Sequence, residues 1–486
     1  MSRGPWPAPG PRTWIAAAIL IAWALFFHTT FLVPDSSGNY AWARSLLFDR
    51  DVDFGDELLR LGYIEGNDRV RFHATTELGR PGNPFGMGAG LFWIPFVLLA
   101  ELLLRLAGAA VSPGGYGDLH ILAASAGTAV YGLAALWIGL RICVRFVRSQ
   151  VALPSILACA LGTPFLAYAF HLPTYAHVPA AFAVALALLA GLRARDRPSA
   201  WRWALAGAAV GLAATVRSQH VLLILLPAIL WFRSERERAG RTAREGLALG
   251  AGFALVFGVQ LVAWLRIYGR LGLPQGGAFL DLLRPHLVGV LLSPWHGLLS
   301  WSPILAPALA GLFLLFRRDR RLAVGLGLVT LAEVWLVASV VDWWGGYAFG
   351  ARRLVDLTPV FVLGLAVALD RVGSTAARWT VAALAVAWNL ALTTALRTGL
   401  LSPFREPTYG DLLAAVGGGM LRLPAYLAGE LVTPWSRIHL IVHRDSPVRP
   451  VFDVAPPWLV PLGLGLCWIL GLAVLRLFDR RGAPHG

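Results

Sequence analysis

An aspartate stands where a long apolar run ends: residues 31–40 read FLVPDSSGNY, and Asp35 is the first charged residue after the run. Two more carboxylates, Asp51 and Asp53, follow in LLFDRDVDF. Polar residues then recur in short, widely separated stretches. Arg80 lies in LGRPGNPFG, Arg217 in ATVRSQH, and Asp342, Arg352 and Arg353 in VVDWWGGYAFGARRLVD. His171 and His177 lie in HLPTYAHVP. Ionisable groups at membrane depth are costly and face a cavity or a partner. Guanidinium groups grip phosphate with paired hydrogen bonds. A carboxylate beside such a grip can take a proton from an attacking hydroxyl, while the arginines stabilise charge building on a departing phosphate. A phosphosugar on a polyprenyl lipid has its head group at that depth and an apolar tail for a groove between helices. The set therefore describes sugar transfer from a polyprenyl phosphate, with a carboxylate as proton acceptor and the arginines on the phosphate.

Each residue also has a structural reading. Asp35, followed by Ser-Ser and a helical pattern, is a good helix N-cap. Asp49, Asp51 and Asp53 alternate as in a calcium loop, but the glycine and glutamate such a loop needs are missing. Arg80 suits interfacial snorkelling, and Arg352 and Arg353 suit the start of a helix. The two histidines lack metal-ligand spacing, so no metal is expected. His177, Asp53, Trp343 and Trp344 are candidates for substrate contact, although tryptophans also gather in the interfacial belt. Two rival functions share the outer arginines: a lipid-linked glycan polymerase or ligase, and a transporter or flippase. Transporters place their charges at the bilayer midplane, whereas these fall at the outer edge.

The elements that must position these residues are apolar helices. The chain is 57% hydrophobic and 14% charged over 486 residues, against about 25% charged in soluble domains. Continuous runs near the roughly 20 residues of a spanning helix recur from end to end, without the alternation of a barrel. The fold class is an all-α polytopic membrane protein. Its net charge of +15 is carried by arginine without lysine, clustered in RARDRPSAWR, RSERERAGRTAR and RRDRR, as the positive-inside rule describes. No soluble basic module exists, which excludes nucleic acid as a partner. Three scattered cysteines, Cys143, Cys159 and Cys467, form neither a disulfide framework nor a zinc site.

Charge and hydropathy disagree once. If 85–107 spans, the three arginines of RICVRFVRSQ face outward. If it lies along the outer leaflet, every later arginine-rich loop falls inside. The second choice predicts about 12 spanning helices with both termini cytoplasmic. It gives a core over 1–396, with a first outer loop at 34–118 holding a juxtamembrane helix at 85–107. An outer loop or small helical cap comes next at 397–455, then a last spanning helix and cytoplasmic tail at 456–486.

The order of these features resembles the GT-C superfamily of membrane glycosyltransferases, including protein O-mannosyltransferases and lipid A aminoarabinose transferases. PDSSGNYAWARSLL is similar to their acidic opening after the first helix, which places Asp35 at the catalytic acid. LLFDRDVDF resembles the second acidic element and places Asp51 there. LGRPGNPFGMGAGLFW resembles the stretch that leads into a juxtamembrane helix, with Arg80 at a phosphate-contacting lysine. VRSQH resembles a basic turn, making Arg217 a second phosphate ligand, and GARRLVDLTPVF matches a late arginine element through Arg352 or Arg353. Three positions depart from the pattern: Ser36 replaces a second acid, Arg80 replaces lysine, and HVP at His177 replaces an Asp-Pro. The resemblance implies a GT-C-like bundle in a bacterial cytoplasmic membrane, with its site facing the periplasm. It implies an inverting transfer from a polyprenyl-phosphate-linked sugar to a lipid, glycan or protein acceptor.

Overall fold

The computed structural model describes residues 10–26, 34–60, 75–108, 114–232, 239–272, 279–346, 348–402, 404–432, 462, 465–469 and 472–473. Helices dominate. The first part of the chain carries α1 (Pro11–Phe26), α2 (Pro34–Arg44), α3 (Gly55–Arg60), α4 (Gly88–Leu106), α5 (Asp118–Cys143), α6 (Ser149–Leu161), α7 (Phe165–Phe170), α8 (His177–Asp196) and α9 (Ala200–Val216). The second part carries α10 (Leu225–Trp231), α11 (Ala239–Tyr268), α12 (Leu287–Leu292), α13 (Leu298–Trp301), α14 (Leu305–Leu315), α15 (Arg320–Ala338), α16 (Thr358–Leu369), α17 (Thr375–Arg397) and α18 (Tyr409–Val432). Among the described residues the only extended pairings are two isolated bridges, Thr75 with Pro81 and Leu280 with Val340. Among the described residues seven helices are long and apolar enough to cross a membrane, as expected for a polytopic membrane protein.

Packing follows small residues. Helices in lipid associate through close van der Waals contact, because hydrocarbon surrounds them on every side. Between α9 and α11, a Cβ on Gly207 would lie 1.9 Å from the Leu249 carbonyl oxygen, and one on Gly252 would lie 2.0 Å from that of Ala204. Neither position admits any side chain. α5, α6, α8 and α16 form the interior, with Leu133, Ile156, Val178 and Leu363 fully covered. α11, by contrast, leaves Leu247, Leu255 and Val262 exposed along one side.

The arginine-rich loops meet at one end of the bundle. Arg145 pairs with Asp196, Arg195 with Asp319, and Arg318 with Asp370 at 2.6 Å. Arg318 also donates to the carbonyl of Phe146 at 2.6 Å. Stretches 141–150, 193–202, 317–321 and 370–378 thus share one end, and α2 belongs to the other. The chain enters α4 beside α2, with Gly90 against Trp42 and Ala43. It leaves beside α2 as well, where Tyr40 and Arg44 donate to the carbonyls of Gly115 and Gly114 at 2.7 and 2.8 Å. Residues 397–455 contain α18, a helix of crossing length packed along α17. The remainder of that segment, 433–455, lies outside the described residues, as does most of 456–486.

Candidate active site

Asp35 is held at the first turn of α2. The helix is pinned to stretch 83–85 and braced within itself. Trp42 Nε1 donates to the Phe85 carbonyl at 2.9 Å, Asn83 Nδ2 donates to the Gly38 carbonyl at 2.8 Å, and Asn39 Nδ2 reaches back to the Asp35 carbonyl at 2.7 Å. Stretch 81–88 in turn rests on the end of α9. A Cβ on Gly86 would be 2.2 Å from the Thr215 carbonyl oxygen, and one on Gly88 would be 2.5 Å from the Val216 nitrogen. The glycines of NPFGMG thereby bring the first loop down onto the turn that carries Arg217. At Arg217 the backbone leaves helical geometry (φ −145°, ψ 120°).

Between these pieces lies a cavity of about 630 Å³, lined by Asp35, His177, Arg217, Asp342, Arg352 and Arg353 among others. Arg352 Nη1 donates to Asp35 Oδ2 at 2.6 Å; these side chains are 12% and 28% exposed. Arg353 donates to the Asp342 carbonyl at 2.6 Å and to its Oδ1 at 2.8 Å. Arg217 Nε lies 2.8 Å from Asp356 Oδ2, and its Nη2 donates to Gln219 Oε1 at 2.9 Å. The buried Arg352 Nε has no hydrogen-bond partner among the described residues. It packs against Gly345, where a Cβ would lie 2.9 Å from it. Away from the arginines the lining turns apolar, with Phe257, Leu261 and Trp264 of α11 and Leu336 and Val337 of α15.

A buried network backs the arginines. Asp356 takes His177 Nδ1 at 2.9 Å on one oxygen and His220 Nε2 at 3.0 Å on the other. His220 Nδ1 lies 2.8 Å from Glu333 Oε1, and Gln219 Nε2 donates to Glu333 Oε2 at 2.7 Å. Both nitrogens of His220 face carboxylates, and only the doubly protonated ring can donate to both. Arg217 and His220 then balance Asp356 and Glu333. Sequence reasoning passed over Asp356, Glu333, Gln219 and Asn39. Glu333 carried a usable signal, a lone carboxylate in the apolar run LAEVWLV. Asp356 reads as an ordinary helix start.

The structure brings together Asp35, His177, Arg217, Arg352 and Arg353, from stretches the sequence holds far apart. Other candidates stand elsewhere. Asp51 Oδ1 accepts from Ser45 Oγ at 2.8 Å and from the Asp53 nitrogen at 3.1 Å, and Asp53 Oδ1 accepts from the Gly55 nitrogen at 3.1 Å. These are turn and helix-start bonds in the first loop, outside the cavity lining. Arg80 is exposed, 3.4 Å from the Arg266 carbonyl, and also outside that lining. Trp343 stacks on His286, and Trp344 on Trp295 at 4.7 Å between centroids.

A second ionic cluster occupies the other end of α2. Arg44 Nη1 contacts Asp49, Asp56 Oδ2 at 2.6 Å and Glu57 Oε1 at 2.9 Å, and the guanidinium packs 4.4 Å from the centre of the Tyr116 ring. The three carboxylates lie close enough together to ligate one cation, and the guanidinium fills that role. Burial pushes the Glu57 carboxyl up to about 8, so this crowded group keeps its proton.

No family model and no curated protein sequence matches the chain. Solved structures do match in fold. ArnT from Cupriavidus metallidurans bound to undecaprenyl phosphate is 17% identical, with a TM-score of 0.54, over 96% of this chain and 77% of that one. Its apo state is 15% identical, with a TM-score of 0.51, over 95% and 76%. The apo oligosaccharyltransferase of Archaeoglobus fulgidus is 13% identical at a TM-score of 0.45, over 88% and 56%. The chain shares the fold of the ArnT structures.

Proposed function

We propose that the chain is a membrane glycosyltransferase that moves a sugar from a polyprenyl-phosphate donor to an acceptor at the non-cytoplasmic face of a bacterial cytoplasmic membrane. The observation that carries this reading is the convergence of Arg217, Arg352 and Arg353 on one cavity with Asp35. The arginines hold the phosphate, and the apolar lining from α11 and α15 receives the first prenyl units. The acceptor's nucleophilic oxygen attacks the anomeric carbon on the face opposite the phosphate. Its bond to that carbon forms as the carbon–phosphate-oxygen bond breaks. The acceptor proton passes to Asp35, and the electron pair of the broken bond stays on the phosphate, where the guanidiniums stabilise it. The anomeric configuration inverts. Asp51 and Arg80 take no part in this scheme. The fold shared with ArnT, whose structure holds undecaprenyl phosphate, agrees with a lipid phosphate in the cavity.

Undecaprenyl phosphate should bind the purified protein, and Arg353→Gln should weaken that binding about 10-fold to 100-fold, the size of one hydrogen bond to a charged group. Mass spectrometry of membrane lipids and glycans, with and without the gene, then identifies the product. A gain of one sugar supports transfer, whereas gain of a preassembled chain would make the protein a ligase.

A further inference from the structure

The cavity is divided by hydrogen-bond polarity. Its arginines are donors, and each has a resident acidic partner. Two other lining residues, Asn39 and His177, offer lone pairs instead. Asn39 is 2% exposed. Its Nδ2 is spent on the Asp35 carbonyl, which fixes the amide orientation and leaves Oδ1 buried without a partner among the described residues. His177 is 1% exposed. Its Nδ1 faces Asp356 Oδ1 at 2.9 Å. A carboxylate there can only accept, so Nδ1 carries the proton. Arg217 Nη1 lies 3.2 Å from the same nitrogen, and a neutral ring carries one proton only. The lone pair is therefore left on Nε2, to which no described residue donates. An unpaired buried acceptor costs about 1–3 kcal/mol, and both residues line one cavity.

We propose that Asn39 and His177 form the subsite that accepts hydrogen bonds from hydroxyls of the transferred sugar, and that this sugar is uncharged. The proposal rests on the donor reading above. Hydroxyl groups are the donors a sugar can offer to two neutral acceptors. An ammonium would meet the same lone pairs, but it would do so beside Arg217, with Arg352 and Arg353 in the same cavity. The phosphate end of the donor draws on the guanidiniums and the sugar end on the acceptors, so one cavity reads both halves of the molecule.

Binding measurements on the purified protein separate the two halves. The ligands are bare undecaprenyl phosphate, its glucosyl, galactosyl and mannosyl forms, and its 4-amino-4-deoxyarabinosyl form. At least one neutral sugar lipid should bind at least tenfold tighter than the bare lipid, and the amino sugar should add nothing. His177→Phe, which keeps ring bulk without the lone pair, and Asn39→Leu, close in size without the carbonyl, should each reduce that gain to threefold or less while still binding the bare lipid. Either folded variant suffices. Retention of the gain in both, an equal gain for the amino sugar, or no gain for any neutral sugar overturns the proposal. Failure of the wild type to bind bare undecaprenyl phosphate is a different outcome, and it overturns the donor reading itself. ¹⁵N NMR of the histidine side chains gives a second readout: a proton on His177 Nε2 instead of Nδ1 also overturns the proposal.

Discussion

The eleven residues of α2 carry an ionic cluster at each end, and the two clusters are built oppositely. At the Arg44 end, one guanidinium meets Asp49, Asp56 and Glu57, donates to the Gly114 carbonyl and lies against Tyr116. Negative charge is in excess there, with all three carboxylates gathered on one nitrogen. At the Asp35 end, three guanidiniums line the cavity with Asp35 and Asp342, and Arg352 keeps an idle N–H. Donors are in excess there. The same pair of residue types thus makes a strut in one place and an anion-binding wall in the other. What separates them is the balance of carboxylates to guanidiniums on one surface.

The largest expected effect tests the open end. Asp35→Asn should lower transfer by about 10²–10⁴-fold, the usual worth of a positioned proton acceptor, with the protein still folded. The same substitution should tighten binding of undecaprenyl phosphate several-fold, because Asp35 is an anion that Arg352 holds at 2.6 Å and that would compete with the phosphate. Loss of transfer together with weaker lipid binding would mean that Asp35 chiefly shapes the site. Near wild-type transfer would remove Asp35 from the chemistry altogether.

The strut should fail differently. Arg44→Met strands carboxylates around a buried position, and breaking such a pair costs about 3–5 kcal/mol. Unfolding of the detergent-solubilised protein should report a loss of that size, whereas Arg352→Gln should change stability far less and lipid binding more. Matching losses in the two variants would erase the contrast between the clusters.

A smaller effect lies in pH. Burial raises Glu57 from 4.5 to about 8, so between those values the folded state binds a proton that the unfolded state has released. Stability therefore falls as pH rises across that window. Glu57→Gln removes the titrating group, and the decline in midpoint across the same window should flatten. An unchanged slope would mean that Glu57 is ionised in the fold, paired with Arg44 outright.

The two ends of α2 were not equally legible. Asp35, Arg217, Arg352 and Arg353 announced themselves by chemistry: each interrupts or borders an apolar run, where a charge needs a reason. The helical class was equally plain, and the arginine-rich loops marked one end of the bundle independently of their ion pairs with Asp196, Asp319 and Asp370. Partnership was not legible. Nothing local shows that Asp356 joins His177 and His220, because those residues stand 179 and 136 positions away from it and only the fold brings them together. Nor does Asp51 differ in the sequence from Asp35 in any way that reveals its bond to Ser45. Motif spacing gave Asp51 and Arg80 the same standing as the residues that line the cavity, since a short pattern records order along the chain and says nothing of which way a loop turns.

Arg80 supplies the smallest expected effect and the most direct test of that last distinction. It is exposed, with a single 3.4 Å side-chain contact to the Arg266 carbonyl, and a solvated guanidinium outside the cavity has little desolvation to recover from a lipid phosphate. Exposed charge pairs are worth about 0–1 kcal/mol, so Arg80→Ala should weaken undecaprenyl phosphate binding by no more than a few-fold, and salt should reduce even that. A tenfold or greater loss that persists in high salt would mean that stretch 75–81 closes over the occupied cavity and brings Arg80 to the phosphate. The contrast between the two ends of α2 would then have to include arginines that arrive only with the ligand.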